Sequence, residues 1–455
     1  MLKKSKHLIH SGASPDKVAK DLQPLIDFQE EGLSPKTLEK LISERLIPHL
    51  MQYGHPGFHS MFNFFLEEGA ELGAKVALVY NQGVTNWQVS PGGAVLEELC
   101  CQALCKLYGL SRGADATFMY SGTYANQEAL YLALHQKAEM RGFDFTQKGL
   151  NGFNDPKRLR VLASRDAHFS MKHAVRMLGL GEESLVPVDV DKNRRLDVEC
   201  LKKTVDELKQ AKDIFCVVAT AGTTSTGSVD PILPMAETCK DLDVWLHVDG
   251  AYGLAYSLIP ELKHLFSGIE RADSVSWDPH KQFGVPIPSS LLFVKRKEDF
   301  KRMAIYSEYF NRRDDPRPNP GLKSPPSTRP FMALSLATSL RYLGMKKVVK
   351  RLKTPIAAIR ELAERLKNEI DVEIAHEPDT GILCFRLVPE GFPEKELDRL
   401  QEQIYERIMS RGERTISITK LDARTVLRLV AISPSVTSNE LMETISEARK
   451  QARDY

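Results

Sequence analysis

The sequence has no excess of charge of one sign and no long apolar run. Its 455 residues include 62 Lys and Arg against 60 Asp and Glu, which gives a formal net charge of +2. Nucleic acids and anionic membranes attract basic surfaces, so this balance gives no reason to expect either partner. No stretch approaches the roughly 18 apolar residues of a membrane-spanning helix. The basic opening, residues 1–6, lacks the apolar segment that a signal peptide needs.

The sequence also lacks cysteines at the spacing of a redox pair. The seven cysteines are an odd number, and none forms a Cys-x-x-Cys pair. Cys100, Cys101 and Cys105 fall within one apolar helical pattern, which predicts buried thiols and not metal ligands. Free thiols are typical of a reducing compartment, so we expect a cytoplasmic protein. Internal repeats and low-complexity tracts are absent, and 455 residues are enough for two or three domains.

The middle of the chain alternates short apolar runs with helical patterns. Strands are predicted at 117–120, 159–164, 214–220, 244–249 and 274–277. Such alternation predicts an α/β fold with a mostly parallel sheet that helices cover on both faces. The first 85 residues or so contain helical patterns without this rhythm. The last 110 residues or so change character again and predict a small α+β domain.

Two charged residues, Asp249 and Lys281, lie at or just after the predicted strands 244–249 and 274–277. Asp249 ends a buried strand, and the carboxyl ends of strands in open α/β sheets are where ligands bind. Lys281 follows 32 residues later, behind Pro-His, which leaves room for one crossover and a neighbouring strand. The pair has two interpretations. It is either a structural ion pair, or the Schiff-base amine and the pyridinium partner that pyridoxal phosphate requires.

Other segments near the predicted strand ends also suit a ligand. Ser121, Gly122 and Thr123 lie between a strand and a helix, where free N–H groups favour an anion, although this is not a Walker motif. His168 follows the next strand and is either a capping histidine or an imidazole that faces a ligand. The small-residue loop 221–228 lets the backbone approach a ligand closely.

Two loops stand out by composition. Residues 54–63 combine aromatic and imidazole groups, including His55, Phe58 and Phe62. This segment is either a packed surface turn or a substrate-facing loop. Residues 311–330 contain six prolines among charged residues, which excludes a helix or a central strand and indicates a lid or a surface connection.

Three separated segments resemble one known family. Residues 220–232, 245–253 and 268–281 resemble the group II pyridoxal-phosphate-dependent decarboxylases, which include glutamate, cysteine sulfinate and aromatic amino-acid decarboxylases. Segment 268–281 is most similar to the glutamate and cysteine sulfinate branch. The resemblance extends from about His55 to Pro434.

The resemblance implies a fold-type I architecture in a homodimer. An N-terminal helical segment, residues 1–88, would pack across the dimer. Residues 89–338 would form the large cofactor domain, and residues 339–455 the small C-terminal α+β domain. The implied activity is decarboxylation of an L-amino acid to an amine and carbon dioxide, through a quinonoid intermediate.

The resemblance also assigns roles to residues near the cofactor. Lys281 would carry the internal aldimine, Asp249 would pair with the pyridine nitrogen, and His168 would stack on the ring. His280 would lie beside the Schiff base, and Thr220 near the cofactor. The phosphate would lie at Ser121, Gly122 and Thr123, with Ser276 and Asp278.

Substrate binding is assigned to residues near the two ends of the chain. Arg428 would hold the substrate carboxylate, and Arg329 is a further candidate. Arginine suits this task because its planar fork of donors matches a carboxylate. His55, Phe58 and Phe62 would belong to the substrate loop, which resembles the aromatic branch. The two ends of the chain therefore indicate different substrates.

The sequence departs from the family in its mobile loop. The family's loop carries a tyrosine that is proposed to reprotonate the substrate carbon, but no tyrosine occurs between Phe310 and Pro330. Tyr306 and Tyr309 lie just upstream. Because some relatives without this tyrosine form aldehydes, an aldehyde-forming oxidative deaminase is one alternative, and a carbon–carbon lyase is another.

Two further alternatives come from other classes. His247 with Asp249, and Asp278 with His280, have the side chains of metal ligands, although Lys281 would repel a cation there. A catalytically inactive protein that binds pyridoxal phosphate and other proteins is the last alternative. The intact Lys281 and Asp249 argue against it.

Overall fold

The computed structural model describes residues 8–453 and divides into two compact units. One unit consists of the chain up to Phe65 together with the segment from Thr354 onward, and the other is Leu66–Lys353. The basic opening, residues 1–6, lies outside the described residues. The three segments 1–88, 89–338 and 339–455 remain a prediction.

A seven-stranded sheet forms the centre of unit Leu66–Lys353. Its strands are β1 (Asp115–Met119), β2 (Leu159–Ser164), β3 (Leu185–Val188), β4 (Asp213–Thr220), β5 (Trp245–Asp249), β6 (Ser274–Trp277) and β7 (Ser290–Val294). The order across the sheet is β1-β7-β6-β5-β4-β2-β3. Strands β3, β2, β4, β5 and β6 run parallel, whereas β7 is antiparallel to both β6 and β1. The predicted α/β fold with a mostly parallel sheet is confirmed.

Helices flank this sheet. They are α3 (Glu68–Tyr80), α4 (Pro91–Leu107), α5 (Gly122–Met140), α6 (Phe145–Lys148), α7 (Ser170–Met177), α8 (Val198–Leu208), α9 (Ile232–Leu242) and α10 (Pro279–Gln282). Strand β4 reads as a continuous apolar run because both of its faces are buried. The predicted strands 159–164 and 274–277 have the observed bounds. The crossover between β5 and β6 consists of short 3₁₀ segments, including Pro260–Phe266 and Ile269–Arg271.

Two strands of this sheet were missed by the sequence analysis. Strand β3 is four residues long, includes Pro187 and lies at the sheet edge, where a missing backbone donor is tolerated. Strand β7 follows a segment with two prolines, which pattern analysis treats as a breaker. Tertiary pairing overrides these local signals in both places.

The other unit is built around a four-stranded antiparallel sheet. Its strands are β8 (Val372–Ile374), β9 (Ile382–Leu387), β10 (Ser417–Leu421) and β11 (Arg424–Val430), in the order β10-β11-β9-β8. Its helices are α1 (Pro15–Leu22), α2 (Pro35–Leu41), α12 (Leu397–Arg411) and α13 (Ser438–Arg453). Helix α11 (Met332–Leu366) belongs to both units along the chain and is interrupted at Gly344, where φ is 66°. The predicted small α+β domain is confirmed.

Helix caps follow the sequence signals. Ser34 Oγ accepts a hydrogen bond from Thr37 N at 3.1 Å, and Thr437 Oγ1 accepts one from Glu440 N at 3.2 Å. The helical spacing of Ile356, Ile359, Leu362, Leu366 and Ile370 in the sequence predicts one helix that buries all five residues on one face. This expectation is wrong, because α11 ends at Leu366 and Ile370 is 93% exposed.

Cysteine burial and hydropathy agree with the sequence. Cys100, Cys101 and Cys105 are buried free thiols on α4. Burial raises the pKa of Cys100 and of Cys105 to about 12, so neither behaves as a reactive thiolate. Within residues 8–453, the helices are all too short or too polar to cross a bilayer.

Replacing Gly253 with Ala tests how closely the ends of β4 and β5 approach each other. A Cβ at Gly253 would lie 2.0 Å from Ala221 O, a backbone atom that cannot move independently. Overpacking of this kind costs about 3 kcal/mol or more, so we expect Gly253→Ala to lower the melting temperature by several degrees. Scanning calorimetry of the variant and the wild type measures this change in melting temperature.

The matched control is Gly92→Ala in the first turn of α4. A Cβ at Gly92 would meet nothing within 4 Å. Because alanine favours helix, we expect no loss and a gain of up to about 1 kcal/mol. Equal melting temperatures for the two variants would contradict the described packing of Gly253.

Candidate active site

Three polar residues meet at the carboxyl ends of three neighbouring parallel strands. Thr220 on β4 is in register with Asp249 on β5, and Asp249 is in register with Ser276 on β6. Parallel strands end at the same edge of a sheet, which is why residues far apart in sequence are adjacent here. All three are buried, and Thr220 Oγ1 has no hydrogen-bond partner among the described residues.

The Asp249 carboxylate is held by three hydrogen bonds. Oδ2 accepts one from Asn126 Nδ2 at 2.9 Å. Oδ1 accepts two, from the backbone N of Ala251 at 3.1 Å and from Ser276 Oγ at 3.2 Å. These bonds fix the direction of the carboxylate.

A buried chain of hydrogen bonds stands behind Asn126. Asn126 Oδ1 contacts His247 Nε2 at 2.9 Å, and His247 Nδ1 contacts Ser274 Oγ at 2.9 Å. Ser274 Oγ also accepts a hydrogen bond from Trp245 Nε1 at 2.8 Å. Together with Asp249, these residues form what we call the Asp249 relay.

The direction of every bond in the Asp249 relay is determined by its two ends. Indole N–H of Trp245 only donates and the Asp249 carboxylate only accepts. Ser274 therefore donates to His247 Nδ1, and His247 donates its Nε2–H to Asn126. Burial lowers the pKa of His247 to about 4, which keeps the ring in this neutral form.

The sequence analysis missed Asn126, Ser274 and Trp245, and it considered His247 only as a possible metal ligand. One signal was available: Trp245, His247 and Asp249 alternate along β5, so their side chains point to the same face of the sheet. Helix α5 brings Asn126 to that face. Both ring nitrogens of His247 are engaged in hydrogen bonds, which explains its burial without a metal ion.

Lys281 lies on the short helix α10 that follows β6. Its Nζ is 3.1 Å from Asp278 Oδ2, and the side chain is partly exposed. His280 donates from Nδ1 to the backbone O of Ser289 at 2.6 Å. Burial lowers the pKa of His280, although Asp278 opposes the shift. The structure thus brings Lys281, Asp278 and His280 together next to the Asp249 strand.

The N-terminus of α5 approaches the same group. Ser121 caps this helix, since its Oγ accepts a hydrogen bond from Tyr124 N at 3.3 Å. A Cβ at Gly122 would lie 2.9 Å from Asp278 Oδ2 and 3.1 Å from Ala251 Cβ, so a side chain does not fit there without a shift. The first amide groups of α5, including that of Thr123, therefore lie at the site.

His168 is tied to the Asp249 relay through Ser170. Its Nδ1 accepts a hydrogen bond from Ser170 N at 3.2 Å, and Ser170 Oγ accepts one from Asn126 Nδ2 at 2.9 Å. Burial lowers the pKa of His168, whereas the nearby charge of Asp249 raises it. His168 therefore makes a local capping contact within reach of the charges of Asp249 and Lys281.

These groups fit pyridoxal phosphate by their chemistry. An amine at Lys281, an oriented carboxylate at Asp249 and a helix N-terminus at Gly122 match the aldehyde, the pyridine nitrogen and the phosphate of the cofactor. The unpartnered hydroxyl of Thr220 is an additional buried donor beside Asp249.

Four of the five residues assigned to substrate belong to the other unit. Arg428 Nη1 donates to Ser417 Oγ at 2.8 Å and to Ser60 O at 3.2 Å. Its guanidinium lies 5.0 Å from the centroid of the Phe62 ring. This contact unites two positions that are 366 residues apart in sequence.

His55 and Phe58 are packed within the same unit. His55 Nδ1 accepts a hydrogen bond from Gly57 N at 3.0 Å, which closes a local turn. Phe58 is buried, and its ring centroid is 5.2 Å from that of Tyr53. These contacts are those of a packed turn.

The remaining candidates lie in unit Leu66–Lys353. Arg329 is buried and donates to Ser324 Oγ at 2.6 Å, and it forms an ion pair with Glu97. Arg313 packs over the Tyr306 ring at 4.4 Å, and Tyr309 is mostly exposed.

Comparison with known proteins identifies the family. The pyridoxal-dependent decarboxylase conserved domain matches residues 19–388. L-2,4-diaminobutyrate decarboxylase from Acinetobacter baumannii is 29% identical over 450 residues, covering 95% of this chain and 88% of its own length. Human cysteine sulfinic acid decarboxylase is 26% identical over 456 residues and covers 96% and 90%.

Solved structures agree with this result. Mouse CSAD in its apo form has a TM-score of 0.90 at 25% identity, covering 98% of this chain and 94% of its own. The glutamate decarboxylase domain of the diaminobutyrate-pyruvate transaminase and L-2,4-diaminobutyrate decarboxylase from Vibrio parahaemolyticus has a TM-score of 0.88 at 25% identity, covering 98% and 91%. The chain belongs to the pyridoxal-dependent decarboxylase family and is a pyridoxal-phosphate-dependent amino-acid carboxy-lyase.

Proposed function

We propose that this decarboxylase binds pyridoxal phosphate at Lys281 and Asp249 and uses it to release carbon dioxide from an L-amino acid. The observation that carries the proposal is the placement of Asp249 in register with Ser276 on β6, the strand that leads directly to Lys281. The cofactor, when bound, supplies an aldehyde that condenses with amines and a ring that accepts an electron pair.

Asp249 would hold a proton at the pyridine nitrogen. A carboxylate beside that nitrogen favours its protonated form, because opposite charges stabilise each other in a buried site. Asn126, supported by His247, would keep the carboxylate oriented toward that nitrogen. The free energy spent on burying Asp249 is offset by its three hydrogen bonds.

Asp278 would act on Lys281. It contacts the Lys281 ammonium at 3.1 Å, and as an anion Asp278 cannot itself bind the phosphate. We assign the phosphate to the amide groups of Ser121, Gly122 and Thr123 and to the hydroxyls of Ser121 and Thr123, because the Ser276 hydroxyl is already bonded to Asp249. Asp278 would hold Lys281 in position until the amine reacts.

His168 and His280 would serve the substrate side of the cofactor. Burial lowers the pKa of each ring, so both are neutral near neutral pH and can accept or share a proton. We assign the substrate carboxylate to Arg428, supported by its buried guanidinium and its place in the family pattern. Phe62, which packs on Arg428, would help to orient it.

A homodimer is part of the proposal. Leu72, Leu78, Val79 and Tyr80 on α3 are between 61% and 79% exposed, and several exposed apolar side chains on one helix favour a surface that a partner covers. A second copy of the chain is the partner that the family suggests. A cytoplasmic location is also proposed, supported by seven free thiols.

Replacing Lys281 with Arg tests the covalent anchor. Arginine keeps the charge beside Asp278 but cannot provide a free amine at neutral pH. We expect carbon dioxide release to fall to about one-hundredth of wild type or lower. Borohydride reduction and peptide mapping of the wild type are expected to place the reduced adduct on residue 281.

The control is Lys263→Arg, an exposed lysine on the crossover between β5 and β6. It should retain full activity. A reduced adduct on any other lysine, or full activity of Lys281→Arg, would rule out the proposed anchor.

Replacing His247 with Phe tests the Asp249 relay. The phenyl ring fills the space but donates nothing to Asn126, which leaves Asn126 free to turn away from Asp249. We expect kcat to fall about 10- to 100-fold, in the range seen for supporting residues of other sites, and the absorption spectrum of the bound cofactor to change. His247→Gln, which keeps an N–H donor, should recover part of both.

His135→Phe is the matched control for the relay. His135 is also buried and lies on α5, but its ring packs against Tyr131 and Phe145. This variant should keep the spectrum of wild type. If His247→Phe lost stability but kept the spectrum and kcat, the relay would have a purely structural role.

A panel of amino acids determines the substrate. It should include acidic, aromatic and basic L-amino acids, with L-2,4-diaminobutyrate among them because a relative carries that name. We expect at least one to give amine and carbon dioxide in equal amounts without oxygen uptake. Oxygen uptake with an aldehyde product would instead favour the oxidative alternative, for which the tyrosine-free segment 311–329 is the motivating feature.

A further inference from the structure

A second cavity lies on the side of α5 that faces away from Asp249. Its volume is about 430 Å³, within the range of small-molecule sites. Asn126 points to Asp249, whereas Glu128, two positions later, is about 200° further around the helix. Most of the wall is apolar: Phe118, Met119, Leu178, Met303 and Met332.

The cavity is open to solvent at one side. Tyr124 and Ile305 line it and are 55% and 79% exposed, so a ligand can enter between them. Glu128 and Tyr131 line it as well. Pro325 and Pro326, which belong to the Pro-rich stretch 311–330, are also part of the wall.

Glu128 is the unusual feature of this cavity. Its side chain is 4% exposed, and neither carboxyl oxygen has a hydrogen-bond partner among the described residues. Buried polar groups are almost always hydrogen-bonded, and those that are not often mark a binding function or a bound molecule. An unpartnered carboxyl on an apolar wall therefore needs a donor from outside the chain.

The cations on the wall already have partners of their own. Arg329 forms an ion pair with Glu97 and donates to Ser324. Arg302 forms ion pairs with Glu139 and Asp299. Because the charge of Arg329 is balanced by Glu97, an ionised Glu128 would leave one negative charge in the cavity.

We propose that this cavity binds an organic cation, a protonated amine with a compact apolar or aromatic body, whose N–H donates to the Glu128 carboxylate. The apolar wall would receive the body of the ligand and the tyrosines its edge. An α-amino acid is excluded by its own carboxylate, which would lie beside Glu128. The site thus distinguishes the amine product of a decarboxylase from its substrate.

Binding would release one proton. Burial raises the pKa of Glu128 well above its ordinary value, which favours the neutral carboxylic acid in the free site. When a protonated amine enters, the carboxyl gives its proton to the solvent and becomes the acceptor for the ammonium N–H. The heat of binding then depends on the ionisation enthalpy of the buffer.

Titration calorimetry of the holoenzyme with N,N-dimethyl-2-phenylethylamine tests the proposal. A tertiary amine cannot form a Schiff base, so it does not report on the cofactor aldehyde. We expect saturable binding at one site per chain, with a buffer-dependent heat. In Glu128→Gln, binding should weaken about tenfold or more and the buffer dependence should disappear. The neutral analogue 2-phenylethanol should bind the wild type at least about tenfold more weakly.

Glu207→Gln is the matched control, because Glu207 is 63% exposed on the remote helix α8. It should bind the probe as the wild type does. Absorbance of the bound cofactor confirms that each variant is folded. If Glu128→Gln fails to fold, Glu128→Leu replaces it, since leucine suits an apolar wall and should raise the melting temperature.

Three results would overturn the proposal. The first is that the holoenzyme shows no saturable binding, which is expected if a second copy of the chain fills the cavity. The second is that the wild type and Glu128→Gln bind the amine with equal affinity. The third is that the wild type binds the amine and the alcohol with equal affinity. None of them depends on turnover, so failure here leaves the decarboxylase assignment unaffected.

Discussion

The orientation of one buried carboxylate, that of Asp249, is the constraint on which the site depends. A charge in the centre of a sheet is costly unless hydrogen bonds replace the lost water. Asp249 receives three, and one of them is backed by a chain that ends at the indole of Trp245. Because this chain fixes the orientation of the Asn126 amide, the Asp249 carboxylate is held in one direction.

The sheet topology explains why Asp249 has other polar residues beside it. Parallel order places the carboxyl ends of β4, β5 and β6 at one edge, so Thr220, Asp249 and Ser276 are neighbours. The chain then turns from β6 into α10, which carries Lys281. The Lys281 amine, the Asp249 carboxylate and the N-terminus of α5 therefore meet at this edge, and each belongs to a helix or a strand and not to a long loop.

Two opposite faces of helix α5 contact different parts of the molecule. One face supplies Asn126 to the Asp249 relay, and its first turn lies against Asp278 through Gly122. The opposite face carries Glu128 into an apolar cavity. If that cavity binds an amine, the ligand would contact the same helix that orients the Asp249 carboxylate through Asn126.

Patterns in the sequence were enough to predict the fold class, the family, the position of Asp249 at the end of a strand and that of Lys281 shortly after the next strand. Strand periodicity, turn residues and the motif around His280 are local signals, and local geometry follows from them. Packing in three dimensions shows that Asn126 holds Asp249 and is itself held by His247 and Ser274. It also shows that Phe62 packs on Arg428, and that Glu128 is buried with no hydrogen-bond partner among the described residues. Contacts between distant segments depend on register and packing, and neither quantity is written in any single stretch of the chain.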